Sequence, residues 1–297
     1  MISAHCSCNA NAMHTTLVST DVLAEQLGDS TWLIADCRYN LNEESWGRVE
    51  YEAAHVPGAV FVDVAHDLAG PRTGTNGRHP LPTIDDMAAT FGRLGIADDI
   101  QVIAYDQDAG AYASRLWWML RYLGHDAVAV LDGGFAKWTR EARPVRGGIQ
   151  TRTLARFTPR PRKEMRVTVD ETLTHLGDPS VLLIDARSPD RYAGRPDPLD
   201  TIYGHIPGAR NRYYRNNVSD PGTLRSGQEL KADFEQVLAG IPANQVVMYC
   251  GSGITACHNL LAMEHAGLAG ARLFAGSWSE WESDPNRPIE RGSKVER

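Results

Sequence analysis

The chain has 297 residues, with 30 Lys and Arg against 37 Asp and Glu, for a net charge of −7. That length suits one large domain or two of about 150 residues, and 42% hydrophobic with 23% charged residues is ordinary for a globular protein. The acidic balance argues against nucleic acid or an anionic membrane as partner, and no apolar run reaches the ~18 residues of a transmembrane helix. A small anionic substrate would have to be met by arginines placed locally.

From the N-terminus, residues 1–14 lack a basic start and an apolar stretch, so they read as a polar tail and not a secretory signal. Met13 is an alternative start. Cys6 and Cys8 fall in this tail, where one Cys-x-Cys pair is too small a ligand set for a metal. With Cys37, Cys250 and Cys257 they make an odd, scattered set, which is no disulfide framework. The expectation is a cytoplasmic protein without metal or organic cofactor.

Short apolar runs then alternate with helical spacing. Residues 31–35, 101–105 and 128–131 read as buried strands, and 114–123 as a helix. Residues 181–184, 246–249 and 272–274 read as strands, and 228–238 and 255–265 as helices. The second series repeats the first at an offset of roughly 150 residues. Asp36-Cys37-Arg38 returns as Asp185-Ala186-Arg187, and His55-Val56-Pro57-Gly58-Ala59 as His205-Ile206-Pro207-Gly208-Ala209. The run ending Tyr105-Asp106 returns ending Tyr249-Cys250, and Gly133-Gly134-Phe135-Ala136-Lys137-Trp138 returns as Gly276-Ser277-Trp278-Ser279-Glu280-Trp281. Two copies of one α/β fold follow, each a parallel sheet flanked by helices on both faces. The expected boundaries are 15–145, a basic Pro- and Arg-containing extended linker at 146–166, and 167–290.

In parallel sheets, sites form past the carboxyl ends of strands, and Cys250 stands there. Gly251-Ser252-Gly253 lets the backbone curl round the sulfur, and successive N–H groups form an anion nest in front of a helix. Helix N-termini and nearby cations bring a Cys from about 8.5 down to about 3.5–7.5, so this loop is built to hold a thiolate or a persulfide. Cys257, about 10 Å further along the helix, is too far for a relaxed disulfide and reads as core packing. A cysteine phosphatase needs an Arg six positions after its Cys; that position is Ala256. Asp106 replaces the Cys in the first copy, and a carboxylate cannot be a sulfur nucleophile, so that copy is degenerate. Asp185 and Arg187 read as a structural pair.

The paired His-x-Pro-Gly-Ala segments, Trp117-Trp118, Leu131-Asp132-Gly133-Gly134, the Cys250 loop and Gly276-Ser277-Trp278-Ser279-Glu280-Trp281 resemble the tandem rhodanese-domain sulfurtransferases over residues 15–290. The resemblance implies transfer of sulfane sulfur from a small anionic donor, through a Cys250 persulfide, to a thiol, cyanide or thioredoxin-like acceptor. Family loops of thiosulfate enzymes resemble Cys-Arg-Lys-Gly-Val-Thr, and those of mercaptopyruvate enzymes Cys-Gly-Ser-Gly-Val-Thr; this chain has Cys-Gly-Ser-Gly-Ile-Thr. The implied donor is 3-mercaptopyruvate, with thiosulfate or a non-enzymatic persulfide carrier as the alternatives. The implied substrate contacts are Arg191, Gly251, Gly253, Ile254 and Thr255, with Ser252 either bonding the donor carbonyl or relaying a proton. The family's second clamp Arg falls at Asp200, so the match fails there. Arg195 is either its substitute or a solvated loop charge. His55 either assists proton transfer or fixes a turn, as His205 would; its acidic partner is unassigned among Glu43, Glu44 and Glu50.

Overall fold

The computed structural model describes residues 13–107, 109–220 and 222–292; Cys6 and Cys8 lie outside them. The first half contains β1 (Leu17–Val18), α1 (Thr20–Glu25), β2 (Trp32–Asp36), α2 (Trp46–Ala53), β3 (Val60–Phe61), α3 (Ile84–Arg93), β4 (Gln101–Tyr105), α4 (Ala113–Tyr122), β5 (Val128–Leu131) and α5 (Gly134–Arg140). The second contains β6 (Arg166–Val167), α6 (Val169–Thr174), β7 (Leu182–Asp185), α7 (Pro189–Ala193), β8 (Arg210–Asn211), α8 (Gly227–Leu238), β9 (Val246–Tyr249), α9 (Thr255–His265), β10 (Arg272–Phe274) and α10 (Ser277–Trp281). Each half is a five-stranded sheet, ordered β1-β5-β4-β2-β3 and β6-β10-β9-β7-β8, with every pairing parallel. The repeat seen in the sequence is therefore a repeat of topology.

Strand side chains alternate between the two faces of each sheet. On β4, Val102 and Ala104 enter one core while Ile103 and Tyr105 enter another; on β9, Val246 and Met248 separate from Val247 and Tyr249 in the same way. The outer faces are covered by α1, α2 and α5 in the first domain and by α6, α7 and α10 in the second. The inner faces, with α3, α4, α8 and α9, merge into one apolar cluster that runs through both domains. Helices α4 and α9 pack against each other at its centre. Each of them follows directly on the loop at the end of its domain's central strand, so the two loops are brought to one interdomain seam.

The basic segment after α5 is extended and strapped to the first domain. His55 and Arg146 exchange both backbone bonds, at 2.8 and 2.9 Å. Arg152 donates to the Trp32 and Ser30 carbonyls, Arg162 grips Asp126 with both nitrogens, and Arg160 meets Asp98. These arginines anchor the crossing between domains and do not form a free cationic face.

Because one core spans both halves, urea unfolding should be a single cooperative transition. Leu261→Ala, in the fully buried α9 seam, should lower its free energy by about 2–5 kcal/mol. Two separated transitions by circular dichroism and tryptophan fluorescence would contradict the shared core.

Candidate active site

Cys250 follows β9 at its carboxyl end, and the start of α10 holds its loop from behind. The Cys250 N–H donates to Ser277 Oγ at 3.1 Å, and the N–H groups of Trp278 and Ser279 donate to the Cys250 and Gly251 carbonyls at 2.9 and 3.0 Å. Ser277 has φ of 55°, a left-handed conformation for a residue with a side chain, which costs of order 1–3 kcal/mol. It brings the Ser277 hydroxyl and the next two amides onto the cysteine loop. Gly253, at φ 80°, turns its own N–H onto Cys250 Sγ at 3.1 Å. A Cβ there would strike the Ala275 carbonyl, so glycine is required on two counts.

The first domain shows what such a loop holds. Asp106 stands at the position of Cys250, and its carboxylate accepts the N–H groups of Gly110, Tyr112 and Ala113 at 3.0, 2.7 and 3.0 Å. Phe135 N–H donates to the Asp106 carbonyl at 2.8 Å, as Trp278 does to Cys250. The same backbone thus carries a permanent anion in one copy and a sulfur in the other.

Cys250 is only 2% exposed, yet its side chain is not sealed in. It lines a cavity of about 230 Å³ shared by the two domains, with Leu41, Arg78 and Tyr112 from the first and Arg187, Arg191, Leu199, Tyr213 and Tyr214 from the second among its walls. A Cβ built on Gly251 would lie 2.8 Å from Arg78 Nη2 and 2.9 Å from Arg191 Nη2. Two guanidinium groups therefore converge directly over the residue after the cysteine. Arg191 Nε donates to Asp200 at 2.8 Å, and Asp200 also meets Arg187 at 3.2 Å and Arg78 at 3.9 Å. Arg78 is tied to the second domain by its own N–H to Ser279 Oγ at 2.9 Å, and its guanidinium donates to the Leu199 carbonyl.

Of the residues expected at the site, Arg191, Gly251, Ser252, Ile254 and Thr255 line the cavity, and Gly253 stands behind the sulfur. Arg195 does not. Its side chain is 72% exposed and paired with Asp190 at 3.0 Å, so it is the solvated loop charge of the two readings. The second cation comes instead from Arg78 of the other domain.

His55 also stands outside the cavity lining. It is fully buried, stacked on Tyr51 with centroids 4.2 Å apart, and its Nδ1 bonds the Tyr51 carbonyl at 2.7 Å. His205 repeats this with Tyr192, at 3.8 Å and 2.7 Å. A feature built alike in both copies, outside the cavity, fixes the turn before Pro-Gly. Asp36–Arg38 and Asp185–Arg187 are likewise twin buried pairs, each 2.7 Å apart.

The histidine at the site is His79, whose Nδ1 lies 2.9 Å from Ser252 Oγ. Burial, with Arg115, Arg72 and Arg78 nearby, lowers it to about 3, so its imidazole is neutral and Nδ1 can accept the Ser252 hydroxyl proton. The sequence carried a signal for it: Gly77-Arg78-His79-Pro80 lies between Ala59 and Thr83, and the matching stretch of the second copy, 210–226, contains no histidine.

Comparison with known proteins follows the same outline. The family model described as Rhodanese-like domain matches residues 19–141 and 168–284. The probable 3-mercaptopyruvate sulfurtransferase of Pseudomonas aeruginosa is 39% identical over 278 residues, covering 93% of this chain and 98% of that one. A putative thiosulfate sulfurtransferase of Mycobacterium tuberculosis is 37% identical, covering 90% and 93%. The solved 3-mercaptopyruvate sulfurtransferase from Leishmania major superposes with a TM-score of 0.81 at 32% identity, covering 93% of this chain and 76% of that one.

The depressed His79 makes a pH prediction. The unfolded chain binds a proton there below about 6.5 while the native site resists until about 3. Native stability should therefore fall as pH drops through that window. His79→Gln should remove that share of the loss when urea unfolding is compared at pH 7 and at about pH 4.5; an unchanged pH dependence would contradict the neutral imidazole.

Proposed function

The chain belongs to the rhodanese family of sulfurtransferases, and on that premise we propose that it moves sulfane sulfur from 3-mercaptopyruvate, through a persulfide on Cys250, to a thiol or cyanide acceptor. The observation that carries this reading is the pairing, at one cavity floor, of a sulfur that accepts a loop N–H with two guanidinium groups converging over the neighbouring Gly251.

The donor carboxylate sits on Arg78 and Arg191, which leaves its thiol sulfur over Cys250. The Cys250 thiolate attacks that sulfur; an S–S bond forms as the donor's C–S bond breaks, and the electron pair leaves on the pyruvate enolate. The proton of the donor thiol reaches the enolate carbon, giving pyruvate, and the outer sulfur stays as a persulfide anion in the amide nest. Ser252, bonded to neutral His79, stands where that proton must pass. In the second half-reaction an acceptor thiolate or cyanide attacks the outer sulfur, and the Cys250 thiolate leaves. No metal or organic group has a part in these steps.

Charge supports mercaptopyruvate over thiosulfate. Arg78, Arg187 and Arg191 face Asp185, Asp197 and Asp200, so the clamp holds no surplus of positive charge. That suits a monoanion whose charge lies away from its sulfur, whereas thiosulfate brings two charges. Asp200, standing where the family has its second clamp arginine, already occupies one edge of the Arg191 fork, so Arg78 supplies the second cation. The acceptor, cyanide, a small thiol or a thioredoxin-like protein, reaches the sulfur through the same cavity, whose walls include Leu41, Tyr112 and Tyr213. A reducing compartment such as the cytoplasm fits the free thiols of Cys37, Cys250 and Cys257.

Wild-type protein treated with 3-mercaptopyruvate should gain one sulfur atom by intact mass, lost again on adding cyanide. Cys250→Ser should gain none and show no turnover; full activity in that variant would end the proposal, and sulfur loading without multiple turnovers would point to a carrier. Asp200→Asn should raise kcat/KM for thiosulfate relative to mercaptopyruvate by about tenfold, since it removes one negative charge from the clamp. A ratio unchanged or moved the other way would remove the charge argument.

A further inference from the structure

Arg115 is a charged side chain beside this site that the mechanism above leaves idle. It projects from α4 of the first domain, is fully buried, and among the described residues no carboxylate pairs with it. Its guanidinium donates to the backbone carbonyls of Leu68 at 3.4 Å, His79 at 3.2 Å and Gly253 at 3.1 Å, and the Cys257 sulfur lies beside it. Gly253 is the residue whose N–H meets Cys250 Sγ at 3.1 Å, and His79 is the residue whose ring meets Ser252 at 2.9 Å. One guanidinium therefore grips the peptide that touches the sulfur and the segment that carries the histidine.

Carbonyl dipoles do not neutralise a buried cation, and such a charge is stable only with an anion in reach. Two sulfurs are candidates. Burial works against charge on Arg115, and Cys257 and Cys250 work in its favour. Cys257 is raised by burial to about 12 and gives its Sγ–H to the Gly253 carbonyl at 3.3 Å, so it stays a thiol. Cys250 accepts a hydrogen bond and faces the cavity, so it is the sulfur on which the transfer chemistry places negative charge.

The internal repeat supplies a control. At the matching place in the first copy, the loop carbonyl of Ala109 is gripped from the opposite helix, α9, by His258 Nε2 at 2.8 Å. His258 Nδ1 lies 3.0 Å from the Asn217 amide nitrogen. The grip across the seam is thus common to both loops. The loop that carries the Asp106 carboxyl is gripped by an imidazole, and the loop that carries the sulfur is gripped by a guanidinium. Asn259 stands in α9 where Arg115 stands in α4 and bonds the Arg212 carbonyl at 2.8 Å instead.

Resting on the sulfurtransferase reading, we infer that Arg115 is a positioning residue of the Cys250 site, lent by the catalytically empty first domain as the buried countercharge of the sulfur anion in both its thiolate and persulfide states. Its effect is transmitted through the Gly253 peptide and through space, without contact with donor or acceptor.

The test is the pH profile of Cys250 alkylation by iodoacetamide in the full chain. The other titratable and charged groups around the sulfur include Arg78 and His79 from the segment before α3, Tyr112 before α4, Arg187, Arg191, Asp197 and Asp200 around α7, Tyr213 and Tyr214, and Cys257 on α9. His79 stays neutral through the range used, and burial pushes Tyr112 upward out of it. Arg115→Met and Arg115→Gln should move the profile to higher pH by about one unit and slow persulfide formation at pH 7 about tenfold. Arg115→Lys, which keeps the charge, should hold the profile near wild type. His258→Gln, which loosens the same seam from the other side, should lower Tm without moving the profile. A neutral variant with the wild-type profile, or a Lys variant displaced as far as the neutral ones, would overturn the proposal. If neither neutral variant folds, the Lys profile alone decides in the same way. Alkylation does not depend on the donor, so failure of wild-type protein to gain sulfur would count against the sulfurtransferase reading and leave this result standing.

Discussion

Holding negative charge on a sulfur at the floor of a narrow cavity requires the protein to replace water's hydrogen bonds with its own, because an uncompensated buried charge costs several kcal/mol. The Cys250 loop meets that requirement with peptide dipoles. Gly253 supplies an N–H, α9 begins immediately beyond with no side chain capping its first turn, and the strained start of α10 fixes the loop from behind. Amides fixed in this way need no reorganisation when charge passes from the thiolate to the outer sulfur and back. The guanidinium groups above and below the loop act on the same charge from two sides.

The duplication explains why the second domain alone is not the whole site. In the first copy the Asp106 carboxylate accepts three loop N–H groups and so fills the nest. Freed from chemistry, the first domain gives residues to the other half: Arg78 reaches over Gly251, His79 reaches Ser252, and Arg115 lies beneath the loop. Each arrives because α4 and α9 pack face to face within one continuous core. The seam between the domains is accordingly the floor and one wall of the cavity, and stability of the interface and competence of the site are linked through the same side chains.

Much of this was legible in the sequence. Long buried strands such as Gln101–Tyr105 and Val246–Tyr249 stand out as apolar runs, and their bounds are those the runs predict. The two-residue strands β1, β3, β6 and β8 are too short for any period to reveal; they exist because the neighbouring strand offers a free edge. The Cys250 loop could be read because its chemistry is local: the sulfur, the glycines and the following helix are contiguous. Arg78, His79 and Arg115 could not be read that way, since their distance from Cys250 is closed by packing between domains. His55 was misleading because its motif is well defined, but His205 repeats it. What both copies share belongs to the fold, and what one copy has alone belongs to the chemistry. By that criterion Asp200 is informative too, since a carboxylate among three arginines tunes the clamp rather than building it.

The most direct measurement is a crystal structure of the protein trapped after reaction with 3-mercaptopyruvate and before any acceptor is added. The account predicts one additional sulfur bonded to Cys250 Sγ, within hydrogen-bond distance of the amides that open α9, with Arg78 and Arg191 left free by the departed pyruvate. Extra density on Cys257, or a persulfide on Cys250 turned into apolar packing with the loop amides facing away, would contradict it.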